Sequence, residues 1–262
     1  MNSLPVNTFK KELAAGKTLI GLWANFACLP TVEAVAYSGF DWVLLDMEHT
    51  PNDLQILGTQ LLALRAANGQ GSNTATIVRV PVADMATIKR ALDTGSPNLM
   101  VPNVRNAAEA RDVVSWTRFA PEGLRGVAGS TRGGGYTRYK DYMARANDEV
   151  GLVLQIESQE ALDELDAICR IPGVDAVFIG PSDLAAALGH RGNIGHADVQ
   201  AAISKAINVA KAAGTPIGIL VVDGTAGKYI AQGVTMAGVG SDLHLLVKAA
   251  DELAAQFAQK AG

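Results

Sequence analysis

The chain has only two cysteines in 262 residues. Cys28 and Cys169 have no neighbouring ligands at zinc-finger spacing, and two thiols give no disulfide framework, so both read as ordinary reduced side chains. Clustered positive charge is also missing. The 22 Lys and Arg are outnumbered by 26 Asp and Glu, they are scattered, and the formal net charge is −4. This balance argues against a polyanion partner such as nucleic acid. No apolar run approaches the ~20 residues of a membrane span, and Met1 to Lys17 is mixed polar without the apolar stretch of a signal sequence. A soluble, cytoplasmic protein is expected.

What is present is one pattern repeated along the chain: a short β-branched or apolar run, a polar or Gly-containing turn, then a helical segment. Strands are expected at Thr18–Asn25, Trp42–Met47, Thr76–Val80, Asn98–Pro102, Gly151–Ile156, Ala176–Ile179, Pro216–Val222 and Thr235–Val239. Helices are expected at Pro51–Ala67, Asp84–Asp93, Ala107–Thr117, Gln159–Ile168, His196–Ala213 and Thr225–Gln232. Asp84 is placed to cap a helix, and Gly95 and Gly214 to end one. Strands that alternate with helices in this way predict a single (β/α)8 TIM barrel over residues 1–262, ahead of an open doubly wound sheet.

The step from the fourth strand to the fifth is much longer than a βα unit needs, so the chain must make an excursion there. It contains Ser130-Thr131-Arg132-Gly133-Gly134-Gly135-Tyr136-Thr137-Arg138-Tyr139, with aromatic and cationic groups able to meet a ligand or a neighbouring subunit. A phosphate cradle at Gly133 to Gly135 is disfavoured, because the strand-to-helix setting and the Lys-Ser/Thr ending are absent.

In such a barrel the strand C-termini form the catalytic face. They carry Trp23, then Asp46, Glu48 and His49, then Arg79, then Gln155 and Glu157, then Ser182 and Asp183. Carboxylates without cysteine or a histidine pair suit Mg²⁺ or Mn²⁺. His49, with Asp46 three residues earlier as a possible orienter, suits proton transfer near neutral pH. Arg79 could stabilise an enolate or carbonyl oxygen. The turn Pro181-Ser182-Asp183 could seat a carboxylate on the N–H groups of Ser182 and Asp183, Pro181 having none to give. No lysine stands at a strand end, which leaves a Schiff-base mechanism without a nucleophile. Taken singly, each of these residues could be a helix cap, an ion-pair partner or core. His190, His196 and His244 lie on or beside helices and read as structural or surface groups.

The runs Gly21-Leu22-Trp23, Phe40 to Asn52 (FDWVLLDMEHTPN), Arg79-Val80-Pro81, Gly123 to Val127 (GLRGV), Gln155-Ile156-Glu157 and Phe178 to Leu184 (FIGPSDL) together resemble the HpcH/HpaI aldolase family over nearly the whole chain. The resemblance implies a modified TIM barrel, assembled as a hexamer by exchange of C-terminal helices. It also implies a class II pyruvate aldolase dependent on a divalent cation, Mg²⁺ or Mn²⁺ with Co²⁺ as a further option. The family's metal ligands fall on Glu157 and Asp183, its acid/base histidine and supporting aspartate on His49 and Asp46, its oxyanion arginine on Arg79, and its active-site Gln and Trp on Gln155 and Trp23. Within the family, residues 155–159 and 180–189 look closest to 2-dehydro-3-deoxyglucarate aldolases, with 4-hydroxy-2-oxoheptanedioate aldolases nearly as similar. Met47 and Gly133 to Tyr136 depart from those relatives, which leaves the aldehyde half open.

The activity implied is reversible cleavage of a 4-hydroxy-2-oxo acid to pyruvate and an aldehyde. Three rivals stand beside it. One is a related lyase or decarboxylase that forms the same enolate, and another is a phosphate-recognising isomerase using Gly238-Val239-Gly240-Ser241. The third is a non-catalytic barrel that binds an oxo acid.

Overall fold

A computed structural model describes residues 3–258. Eight parallel strands close into a barrel in sequence order: β1 (Leu19–Ala24), β2 (Trp42–Asp46), β3 (Ala75–Arg79), β4 (Asn98–Val101), β5 (Gly151–Ile156), β6 (Ala176–Ile179), β7 (Ile217–Leu220) and β8 (Met236–Ser241). The helices are α1 (Thr8–Ala14), α2 (Leu29–Ala36), α3 (Leu54–Gly69), α4 (Met85–Asp93), α5 (Ala107–Thr117), α6 (Tyr142–Glu149), α7 (Gln159–Asp163), α8 (Leu165–Cys169), α9 (Pro181–Ala187), α10 (Ala197–Ala213), α11 (Ala226–Gln232) and α12 (Asp242–Ala258). The fold is the expected (β/α)8 barrel; β5 and β6 have the expected bounds, and the other six strands differ from theirs by a residue or two at one or both ends.

Local chemistry sets the helix ends. Asp53 accepts from the N–H groups of Gln55 and Ile56, Asp84 from those of Ala86 and Thr87, and Asn106 from that of Glu109. Each satisfies donors that a first helical turn leaves without partners. Gly214 stops α10 in the left-handed region at φ 74°. The single helix expected over Gln159–Ile168 is instead two, divided at Glu164, whose carboxylate leaves the helix to accept from the Ala107 N–H.

Two apolar layers follow from the strand pleat. Residues facing outward, such as Val43, Leu45, Val78, Leu152, Leu154 and Val177, pack against the helices. Inward residues fill the barrel: Trp42 and Leu44 on β2, Ile77 on β3, Met100 on β4, Val153 on β5, and Ala176 and Phe178 on β6. Phe9 and Leu13 of α1 join this inner cluster and plug the floor, the N-terminal end of the barrel. Trp42 satisfies its indole N–H on the Leu19 carbonyl at 3.2 Å.

Candidate active site

The inner rows of the barrel run upward into the site. On β2 the alternation Trp42, Leu44, Asp46 continues to Glu48. On β3 it runs Ile77, Arg79, and on β5 Val153, Gln155, Glu157. The pleat that points apolar groups into the core therefore points five polar ones into the mouth.

The register between β2 and β3 sets Asp46 directly beside Arg79. Arg79 donates from Nε to Asp46 Oδ1 at 2.9 Å and from Nη2 to Asp46 Oδ2 at 2.7 Å, a two-point grip with Asp46 fully buried. Nη1 of Arg79 lies 2.8 Å from Glu48 Oε2, an ion pair whose angles miss a hydrogen bond, and 3.5 Å from Gln155 Oε1. Burial works against the charged guanidinium, but the Asp46 hydrogen bonds and charge outweigh it and hold Arg79 above its ordinary pKa. Trp23 lies beneath, in the barrel interior, with the Arg79 guanidinium carbon 5.6 Å from its ring centroid. It packs against Trp42 and Phe178 and serves as a platform for Arg79.

On the other side of the mouth, Glu157 accepts from Gln155 Nε2 at 2.6 Å and from the backbone N–H of Asn103 at 2.9 Å. Asn103 adopts a left-handed φ of 52°, a conformation asparagine tolerates. Burial raises the Glu157 pKa, and the nearby charge of Asp183 raises it further. Asp183 itself is exposed at the rim, with Ser182, in the first turn of α9. A Cβ added at Gly180 would lie 2.3 Å from Glu157 Oε2, so only glycine lets the carboxylate sit where it does.

His49 is off the inward parity and its side chain is 66% exposed. The acid nearest it is Glu48, 3.8 Å from Nε2. The expectation that Asp46 orients His49 is corrected here: both Asp46 oxygens are taken by Arg79, with the Glu48 N–H at 3.0 Å as a further donor. The turn that carries Glu48 and His49 is fixed by Thr50 Oγ1 and Asn52 Nδ2, which both donate to the Asp46 carbonyl. Burial raises the Glu48 pKa and the Arg79 charge opposes that rise.

Asn103 is the residue the sequence argument left out of the site, and Glu48, placed on the catalytic face there, was given no role of its own. The inward parity of β2 could have given Glu48 its place beside Arg79. Gly238 to Ser241 lie within β8 rather than in a loop after it, which removes the proposed phosphate seat. The tightest His and carboxylate cluster among the described residues is His190, His196 and Asp198. There His196 caps α10 by accepting from the Asp198 N–H, and its ring stacks on His190 at 3.5 Å.

Proteins of known sequence and structure resemble the chain over nearly its whole length. The chain is 45% identical over 260 residues to a 5-keto-4-deoxy-D-glucarate aldolase of Shigella boydii, covering 98% of this chain and 99% of that one. A crystal structure of a HpcH/HpaI aldolase/citrate lyase family protein from Burkholderia cenocepacia superposes with a TM-score of 0.93 at 37% identity, over 96% of this chain and 99% of that one. A HpcH/HpaI aldolase from Desulfitobacterium hafniense gives 0.85 at 28% identity, over 95% of each chain. The model of the HpcH/HpaI aldolase/citrate lyase family matches residues 19–249, a span that takes in all eight strands and every residue of the mouth, and the chain belongs to that family.

Proposed function

We propose that the protein reversibly cleaves a 4-hydroxy-2-oxo acid to pyruvate and an aldehyde, with a divalent cation held by Glu157 and Asp183. Its family and its aldolase relatives make it a carbon–carbon lyase. The observation that carries the finer reading is the buried Glu157 carboxylate, tethered by Gln155 and Asn103 under Gly180 and pressed by the charge of Asp183. A buried carboxylate facing a second one across a kept space fits a hard cation, Mg²⁺, Mn²⁺ or Co²⁺, with positions left for substrate oxygens. When bound, the cation supplies Lewis-acid stabilisation of the charge that develops on the keto oxygen.

The chain's own residues do the rest. Arg79, locked by Asp46, presents a guanidinium that cannot rotate away and so shares the enolate charge without reorganisation. Ser182 and Asp183 offer backbone N–H groups to the substrate carboxylate beside Pro181, and Trp23 holds Arg79 from below. His49, at the open mouth where water reaches it, takes the C4 hydroxyl proton in cleavage and returns it in synthesis. Glu48 bridges the two, touching Arg79 and facing His49. The relatives' substrate suggests an acid of the deoxy-keto-glucarate type, so the aldehyde product would itself carry a carboxylate.

Homohexamer assembly by exchange of the C-terminal helix is part of the proposal. Along α12 only Asp242 is buried, while Leu245, Leu246, Val247 and Leu253 stand in solvent. Such a face is covered in a stable assembly. Light scattering of the purified protein reads the subunit number.

Chelation should abolish cleavage, and Mg²⁺, Mn²⁺ or Co²⁺ should restore it. Borohydride with pyruvate should leave the protein unmodified. Covalent attachment of pyruvate would instead reveal a Schiff base and sink the reading.

A further inference from the structure

The long excursion between β4 and β5 has no part in the chemistry above, yet it builds a cavity of about 360 Å³ at the barrel floor. Its walls include Arg65 of α3, Arg125 and Arg132 of the excursion, Ser96, Tyr139 and Tyr142. Arg125 is almost sealed, its side chain 1% exposed. Its Nη2 donates to Asp93 at 3.0 Å and to the Tyr142 hydroxyl at 2.9 Å, its guanidinium carbon lies 4.4 Å from the Phe119 ring centroid, and its Nε has no partner. Arg132 is half-buried and donates from Nη1 to the Thr94 carbonyl at 2.9 Å.

Charge is not balanced there. Asp93 offsets Arg125, and Glu149, the carboxylate in the wall, is taken by Arg145 and the Asn7 N–H. No acidic group among the described residues forms an ion pair with Arg65 or Arg132. Both guanidiniums line the same cavity, and burial lowers the Arg132 pKa, with Tyr136 opposing the fall and the Arg65 charge adding to it. A lone arginine on a helix surface, as Arg65 would otherwise be, needs no ligand. Two guanidiniums that line one cavity without a carboxylate partner are a different case, because an anion between them offsets the desolvation of Arg132 and the like charge of the pair.

We propose that this cavity is a second binding site, for a small multivalent anion carrying phosphoryl or carboxylate groups. It opens beside Thr74 to Thr76 and Ser96 to Asn98, at the N-terminal ends of β3 and β4. Arg79 stands at the other end of β3, about 13 Å of strand away, so a ligand here touches no reacting atom. It would pin the excursion to the barrel floor and act on the mouth only through the strands between.

The test uses the enzyme with Mg²⁺ and saturating pyruvate, so that the catalytic mouth is filled. Inorganic phosphate and succinate are titrated separately by calorimetry and by thermal unfolding, against chloride of matched ionic strength. Binding of at least one with a Kd near or below about 1 mM and a raised Tm is expected, the stronger probe identifying the group preferred. The Arg65→Ala/Arg132→Ala double variant should bind it at least about tenfold more weakly, while its cleavage rate without the probe stays unchanged. Arg65→Ala alone, on an exposed helix position, should give a smaller loss in the same direction and serves if the double variant folds poorly. Absence of binding by both probes, or unchanged affinity in the variants, overturns the proposal.

Discussion

Gly180→Ala is the sharpest single perturbation of the mouth. The added Cβ would stand 2.3 Å from Glu157 Oε2, 2.9 Å from Gln155 Nε2 and 3.1 Å from Glu157 Cβ. The backbone at φ −92°, ψ 90° accepts alanine without strain. Carbon and oxygen in ordinary contact need about 1 Å more than the first of these distances, so Glu157 must swing by roughly that amount. The swing breaks the hydrogen bond to Gln155 and moves a proposed cation ligand. Overpacking of this kind costs about 1–3 kcal/mol. For a chain of this size that lowers Tm by up to roughly 10 °C and leaves the barrel folded at 25 °C. Function should suffer more: about 10–100-fold in Mn²⁺ affinity and on the order of 10²-fold in kcat/KM. Calorimetric Mn²⁺ titration, pyruvate release and a melting curve on the same sample separate the two effects. Mn²⁺ affinity and kcat/KM both within twofold of the parent would show that Glu157 does not hold the cation.

Asp46→Asn keeps the shape but leaves Arg79 gripped by a neutral group. Cleavage should fall about 10²–10³-fold, and chemical unfolding should show a loss no larger than the about 3–5 kcal/mol of a broken buried pair, because Glu48 still faces Arg79; an unchanged rate would remove Arg79 from the chemistry. His49→Ala should lower aldol cleavage by roughly 10²–10⁴ yet spare decarboxylation of oxaloacetate, which has no aldol hydroxyl, and equal damage to both reactions would assign His49 a structural role instead. Burial pushes the Cys169 thiol up to about 11, so at pH 8 only about a thousandth of it is thiolate. Native protein should therefore release at most the equivalent of Cys28 to a disulfide reagent, with the second thiol appearing only in denaturant.

The strands were legible because most are short, largely apolar runs buried on both faces, and the inward alternation on β2, β3 and β5 carried Asp46, Arg79, Gln155 and Glu157 along with it. Register was not legible. That Asp46 faces Arg79 depends on how β2 slides along β3, which no local pattern encodes, and without it His49 looked like the natural partner. Asn103 stayed hidden for another reason: it contributes a backbone N–H, made available by one positive φ that the side chain permits but does not demand. The break of α7 from α8 at Glu164 turned on a long-range acceptor for the Ala107 N–H, again invisible within the segment.

The ring closes only where β1 pairs with β8, bringing Gly21 beside Gly238, with a shift of register between Gly21 and Trp23. Until that seam forms, the sheet has two open edges, each a row of unpaired backbone groups exposed to other chains. The seam joins segments almost a full chain length apart, so it is the costliest contact to make by diffusion and belongs late in folding. The Asp242 carboxylate receives the N–H groups of Asn25 and Phe26 just beyond it, so the start of α12 acts as a latch on the closed ring. Weakening that latch, as in Asp242→Ala, should therefore show first as slow refolding and aggregation of half-closed barrels, before any loss of activity in the molecules that do close.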